Sequence, residues 1–182
     1  MSPPARGVSP VDLRGLVREI PDFPTAGIMF KDITPLLLSA EAMDAAVSDL
    51  AAFASPLGVE LVIAAEARGF ILGGALARSL GAGFVPARKR GKLPSETVSV
   101  EYLLEYGVDV LEVHADAFAH GTRVLVHDDL LATGGTARGV CNLVGGLGAK
   151  VVGCAFLVEL SFLGGRERLA PYTVHAVLEY AS

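Results

Sequence analysis

Cysteine, basic charge and long apolar runs are all scarce in this 182-residue chain. Its two cysteines, Cys141 and Cys154, cannot build a disulfide framework and lack metal-site spacing. They read as small buried apolar residues. The four histidines, His114, His120, His127 and His175, stand far apart with no HxxxH or HExxH pattern, so no structural zinc is expected. Lys and Arg total 15 against 20 Asp and Glu, a net charge of −5, and the pI is about 5.3. A nucleic-acid partner is not expected, because phosphate backbones demand a basic face. The uncharged stretch near the middle, Gly69 to Ala77, is nine residues between Arg68 and Arg78. A membrane span needs about 20, so no membrane partner is expected either. The first ten residues, MSPPARGVSP, hold no apolar signal region and read as a loose leader. These absences leave a cytoplasmic, metabolite-handling domain in a reducing compartment as the expectation.

What the chain has is apolar bulk and glycine. It is 52% hydrophobic and 19% charged, with a mean hydropathy of +0.50, which suits a folded chain rather than a disordered one. The length suits one domain, residues 11–182, with a sizeable core. Glycine numbers 21, above its usual share of about 7%, and glycine matters where backbone must approach a ligand.

The apolar spacing over Val11–Ile20 predicts a short amphipathic helix, and Ser39 is placed to cap a helix running to about Ala54. Strands are predicted at Glu60–Ala65, Gly83–Ala87, Arg123–His127, Lys150–Glu159 and Tyr172–Leu178. Helices are predicted over Gly69–Leu80 and about Thr136–Leu147, each ended by a glycine. Short apolar runs separated by helices indicate βαβ units, hence an α/β fold with an open, mainly parallel sheet flanked by helices. Thr97–Tyr102 alternates, and Val108–His114 is acidic and β-branched; together they read as a projecting antiparallel hairpin.

Ligands of such sheets bind beyond the C-terminal strand ends. After the first predicted strand comes Glu66-Ala67-Arg68-Gly69. After the second comes Arg88-Lys89-Arg90-Gly91-Lys92. After the third comes Asp128-Asp129, then Ala132-Thr133-Gly134-Gly135-Thr136. The glycine pair opens a helix, so backbone N–H groups and the helix dipole can converge on a monophosphate. A plain strand-to-helix turn has the same outline. Adjacent carboxylates at a buried strand end are costly unless paired, hydrated or ligand-bound. They suit ribose hydroxyls, with the phosphate a few residues on. The cationic run reads either as a solvated surface or, with Arg68, as the seat of a polyanion.

Val124 to Thr136, VLVHDDLLATGGT, resembles the phosphoribosyl-pyrophosphate motif of type I phosphoribosyltransferases. More narrowly, the chain resembles adenine phosphoribosyltransferases. Pro21–Leu37, Glu66–Phe70, Val85–Pro94 and Tyr102–Ala117 follow that family's pattern in order, and the likeness covers about Val11 to Leu160. The resemblance implies the type I phosphoribosyltransferase fold with a small N-terminal hood, residues 11–38, and a flexible hairpin loop, about 88–114. It implies transfer of a phosphoribosyl group from phosphoribosyl pyrophosphate to N9 of adenine, giving AMP and pyrophosphate for purine salvage. By the same resemblance, Ala132, Thr133, Gly134, Gly135 and Thr136 hold the 5-phosphate, and Asp128 and Asp129 hold the ribose hydroxyls. Arg68, Arg88, Lys89 and Lys92 contact pyrophosphate, with Arg68 and Lys92 counted as catalytic. Met29, Phe30 and Lys31 meet adenine, Glu105 is the acid/base near N7, and Tyr106 belongs to the closing loop. The turn at Ala67 is expected to hold a non-proline cis peptide. Mg²⁺ is the expected cofactor, bound mainly through substrate pyrophosphate with Asp128 or Asp129 as a possible ligand, and a homodimer is the expected assembly.

Two positions depart from the family's pattern. His127 stands where an aliphatic residue is usual, and is expected either to face a helix or to add a polar contact beside the acidic pair. Lys31 stands where arginine is also common. Competing readings are a transferase for another base such as xanthine or orotate, a non-catalytic sensor of phosphoribosyl pyrophosphate, and a purely structural α/β domain. The Pro21–Leu37 and Glu105-Tyr106-Gly107 segments disfavour the first. The absence of room for a DNA-binding domain disfavours the second. The third leaves three chemically matched strand ends as coincidence.

Overall fold

A computed structural model describes residues 11–104 and 107–182, excluding the side chains of 103–109. The leader and the two loop residues Glu105 and Tyr106 lie outside the described residues. Chain contacts divide into two compact units, one up to Ala46 and one from Val47 onward.

In the N-terminal unit, β1 (Arg18–Ile20) and β2 (Phe30–Asp32) form an antiparallel ribbon, followed by α1 (Thr34–Leu37) and the start of α2 (Ala40–Ala54). The predicted helix over Val11–Ile20 is replaced by one 3-10 turn, Arg14–Leu16, and then β1. Asp12 accepts a hydrogen bond from the Gly15 N–H at 3.0 Å, a local bond at the start of the turn. The ribbon then sets Glu19 opposite Lys31 and Arg18 opposite Asp32. Opposite-charge cross-strand pairs of this kind, unreadable from local spacing, favour the strand. Ser39 caps α2 as its position predicts, its Oγ accepting from the Ala42 N–H at 3.2 Å.

The second unit is built on a seven-stranded sheet in the order β5-β6-β4-β3-β7-β8-β9. The strands are β3 (Leu61–Ala65), β4 (Gly83–Lys89), β5 (Thr97–Leu104), β6 (Gly107–His114), β7 (Arg123–Leu131), β8 (Lys150–Leu160) and β9 (Val174–Tyr180). Strands β4, β3, β7, β8 and β9 are parallel, and β6 and β5 complete one edge in antiparallel fashion. The hairpin of the alternating segment therefore forms, and it joins β4 through the pairs Arg88↔Glu112 and Lys89↔Leu111. Among the helices of this unit, α3 (Gly69–Leu80) has the bounds its sequence predicts, with Gly81 left-handed at φ +66°. The others are α4 (Gly135–Gly146) and the short α5 (Gly165–Arg168).

Each central strand is apolar on both faces because both are covered. Ile63, Val124, Val126 and Phe156 pack with Val140, Leu143 and Val144 of α4. Val62, Leu125 and Ala155 pack with Leu76 and Ala77 of α3 and with Leu50 and Ala54 of α2. Two strands run further than their apolar stretches suggest. β7 continues to Leu131 because β8 is long enough to pair it, with Asp128 opposite Phe156 and Leu131 opposite Glu159. β4 continues to Lys89 by pairing with β6. The polar residues Asp128, Asp129, Arg88 and Lys89 are thus strand residues, held more rigidly than loop residues would be.

Candidate active site at the strand ends

Three neighbouring strand ends meet on one rim of the sheet. β3 leads into Glu66-Ala67-Arg68, and the Glu66–Ala67 peptide is cis, as the resemblance implies. The Arg68 Nε forms an ion pair with Asp129 Oδ2 at 2.6 Å. Asp129 is buried, while Arg68 is half-exposed. The Asp129 N–H donates to Asp128 Oδ1 at 2.9 Å. A Cβ on Gly69 would fall 2.7 Å from that same oxygen, so the first turn of α3 abuts the acidic pair through a residue with no side chain. Burial, then the charge of Asp129, push the Asp128 carboxyl well above the usual carboxylate range, with Arg68 opposing. A carboxyl that holds its proton more tightly than usual can, while protonated, donate as well as accept a hydrogen bond.

The basic segment is braced by carboxylates. Arg88 Nε donates to Glu66 Oε2 at 2.8 Å, and its Nη1 donates to the Lys92 carbonyl at 3.0 Å. Glu112 accepts from the Gly91 N–H at 3.0 Å and lies 3.8 Å from Arg90. Arg88 is therefore tied to the Glu66-Ala67-Arg68 turn, and Arg68 in turn to the acidic pair. Lys89 and Lys92 lie on the same segment.

The loop Ala132-Thr133-Gly134-Gly135-Thr136 follows β7 without a break and opens the twelve-residue α4. Gly134 is left-handed at φ +78°, and its carbonyl accepts the first helical bond, from the Arg138 N–H at 2.9 Å. Backbone N–H groups at such a helix start point outward, ready for an anion. A Cβ on Gly134 would lie 2.7 Å from the Gly165 carbonyl oxygen. The glycine is thus required by φ and by packing from behind, whatever lies in front.

His127 faces α3: a Cβ on Gly73 would come 3.3 Å from its Cδ2. Its Nδ1 donates to the Ala155 carbonyl at 2.9 Å, and Nε2 is buried without a hydrogen-bond partner. Burial lowers its pKa from 6.5 to about 4, so it is a neutral core residue at neutral pH.

The hood residues belong to the N-terminal unit. Lys31 Nζ pairs with Glu19 Oε1 across the β1–β2 ribbon. Phe30 meets Phe23 edge-on, with ring centroids 5.1 Å apart. Met29 is half-exposed. Sequence reasoning did not single out Glu66, Glu112, Glu159, Gly165 or Arg166. The carboxylates act through partners 21 to 22 residues away or, for Glu159, on a turn that only the sheet brings back. An open groove of about 490 Å³ lies by the start of β3, lined by Ser48, Ser55, Gly58 and Ser79 among others, with no titratable side chain. It sits at the opposite strand ends from the rim.

The phosphoribosyl transferase domain model matches residues 37–175. Fold and strand-end loops together define a phosphoribosyltransferase. An adenine phosphoribosyltransferase of Pseudothermotoga lettingae is 51% identical over 170 residues, covering 93% of this chain and all of that one. The crystal structure of adenine phosphoribosyltransferase from Thermoanaerobacter pseudethanolicus superposes with a TM-score of 0.90 at 50% identity, covering 92% of this chain and 98% of that chain. That from Saccharomyces cerevisiae, complexed with an imino-altritol bisphosphate and adenine, gives 0.87 at 35% identity, covering 91% and 96%. The chain belongs to the adenine phosphoribosyltransferase family, a family of pentosyltransferases.

Proposed function

We propose that this chain transfers the 5-phosphoribosyl group of phosphoribosyl pyrophosphate to N9 of adenine, releasing pyrophosphate and forming AMP. The observation that carries the reading is the Arg68–Asp129 ion pair beside Asp128, at the head of the strand that feeds the Ala132–Thr136 loop. In this reading the loop holds the 5-phosphate on its N–H groups. Asp128 and Asp129 hold the two ribose hydroxyls. Arg68, Arg88, Lys89 and Lys92 face pyrophosphate. Breaking the bond at the anomeric carbon leaves an oxocarbenium-like sugar, and these cations take up the charge that develops on the leaving group. Met29, Phe30 and Lys31 read adenine. A backbone edge that donates to N1 and accepts from N6 would leave groups unpaired with a 6-oxo purine. Glu105 serves as acid/base at the base, and Tyr106 belongs to the segment that covers the substrates.

The cofactor Mg²⁺ is part of the proposal. The donor set fits an ion carried mainly by substrate oxygens: Asp129 is engaged by Arg68, and Asp128 leans toward its neutral form. One of these carboxylates at most would join the ion's oxygen shell. When bound, Mg²⁺ would neutralise charge on the departing pyrophosphate. A homodimer and a cytoplasmic location complete the reading, on the strength of the family resemblance.

The test is turnover with adenine, hypoxanthine, guanine, xanthine or orotate, each with phosphoribosyl pyrophosphate and Mg²⁺. AMP is expected from adenine, with the 6-oxo bases slower by about a hundredfold or more. Equal use of a 6-oxo base, or no nucleotide at all, would overturn it.

A further inference from the structure

Behind the glycine loop stands a bracket that the motif does not contain. β8 ends at Leu160, and the chain turns through Ser161–Leu163 to Gly164, at φ +67°, and α5. A Cβ on Gly165 would lie 2.2 Å from the Ala132 carbonyl oxygen and 2.9 Å from Leu131 Cδ1. A Cβ on Gly134 would meet the Gly165 backbone at 2.7 Å. The two glycines therefore face each other backbone to backbone, with no side chain between them to yield. The loop rests on the Gly164–Gly165 turn.

That turn is held by the next residue. Arg166 Nε donates to Glu159 Oε1 at 3.0 Å, its Nη2 donates to Glu159 Oε2, and its Nη1 donates to the Val174 carbonyl at 2.7 Å. One guanidinium joins the end of β8 to the start of β9. The Glu159 side chain is only 2% exposed, so its charge has nowhere to go but this fork. A planar, bidentate pair fixes direction as well as distance, which a lysine ammonium would not. The pair's reach is one-sided: it supports the loop after β7, while Arg68, Arg88, Lys89 and Lys92 stand on the ends of β3 and β4.

We propose that Arg166 and Glu159 are positioning residues for the 5-phosphate: by clamping Gly165 against Ala132 and Gly134, they hold the loop's N–H groups in the geometry that grips the phosphate. This inference rests on the function proposed above and extends it to a residue pair that does not touch the substrate. A purely structural pair would weaken every ligand alike. A positioning pair weakens those that depend on the loop.

The experiment compares wild type, Arg166→Lys and Glu159→Gln. It measures kcat, KM for each substrate, calorimetric affinity for ribose 5-phosphate and for Mg²⁺-pyrophosphate, and the melting curve. In either variant that stays folded, ribose 5-phosphate affinity should fall, and KM for phosphoribosyl pyrophosphate should rise, on the order of tenfold. Affinity for pyrophosphate and KM for adenine should stay within about twofold of wild type. Unchanged ribose 5-phosphate affinity overturns the proposal, as does an equal loss for both ligands. Loss of the fold in both variants makes the pair a stability element and overturns it too. A wild type that forms no AMP defeats the function reading instead, whereas an active wild type with indistinguishable variants defeats only the positioning role.

Discussion

At the scale of single residues, the rim trades stability for chemistry. Asp128 and Asp129 are adjacent and partly or wholly buried; Asp129 pairs with Arg68, and Asp128 accepts from the Asp129 N–H. Because the folded-state pKa of Asp128 is raised, its contribution is favourable where both states are protonated, below the unfolded value of 3.8, and is lost as pH rises through the folded pKa. Neutral pH is therefore where the carboxyl costs the fold most. Asp128→Asn keeps an acceptor for the Asp129 N–H and removes the charge. It should melt higher than wild type at pH 7, with the gap closing toward pH 4, while turnover falls by about a hundredfold or more. A variant less stable than wild type at pH 7 would contradict this. His127 works through the opposite proton balance. Its pKa is lowered to about 4, so above 6.5 both states are neutral and the residue is silent. As pH falls from 6.5 to 4, the unfolded chain binds a proton that the folded one refuses, and about 3 kcal/mol of stability drains away. His127→Leu should flatten that stretch of the stability-versus-pH curve, measured by urea unfolding at successive pH values. An unchanged slope would show that the histidine is not the buried neutral group its surroundings indicate.

Elements are set by contacts that local pattern registers only in part. α3 begins and ends where its glycines and apolar spacing predict, yet the two glycines in its middle differ completely. A Cβ on Gly73 would come within 3.0 Å of Ala64 Cβ and Phe84 Cε2, whereas a Cβ on Gly74 would meet nothing within 4 Å. Gly74→Ala should therefore stabilise the protein by about 1 kcal/mol, the ordinary gain in helix propensity. Gly73→Leu should destabilise it by about 1–3 kcal/mol, because the helix would have to lift off β3 and β4. Thermal melts of the two variants test this, and shifts of the same sign would refute it. The N-terminal ribbon teaches the complementary lesson. Val11–Ile20 has helical apolar spacing, but pairing of Glu19 with Lys31 and Arg18 with Asp32 favours a strand whose partner lies more than ten residues on.

For the molecule as a whole, the described helices include none long and apolar enough to cross a membrane. The proposed homodimer predicts a light-scattering mass of about twice the 18.9 kDa chain. A monomer at working concentration would remove that part of the proposal while leaving the chemistry of the rim, which lies within a single chain, untouched. The mixed sheet also explains why the rim is firm. β8 extends β7, and β6 extends β4, so the polar residues of the rim sit on paired strands rather than free loops.

The central strands, the bounds of α3 and the three polar strand ends were legible in the residues themselves, whereas the order of strands in the sheet was not. Apolar periodicity, left-handed glycines and clustered charge are local properties, and the parallel-sheet rule says where successive strand ends must face. The sequence could not show which charges meet. The links from Arg68 to Asp129, Arg88 to Glu66 and Arg166 to Glu159 depend on strand register. So does the seating of Gly134 on Gly165, which brings together residues 31 positions apart. Hydrogen bonds and close backbone contacts act over about 3 Å, so only the folded chain could decide them.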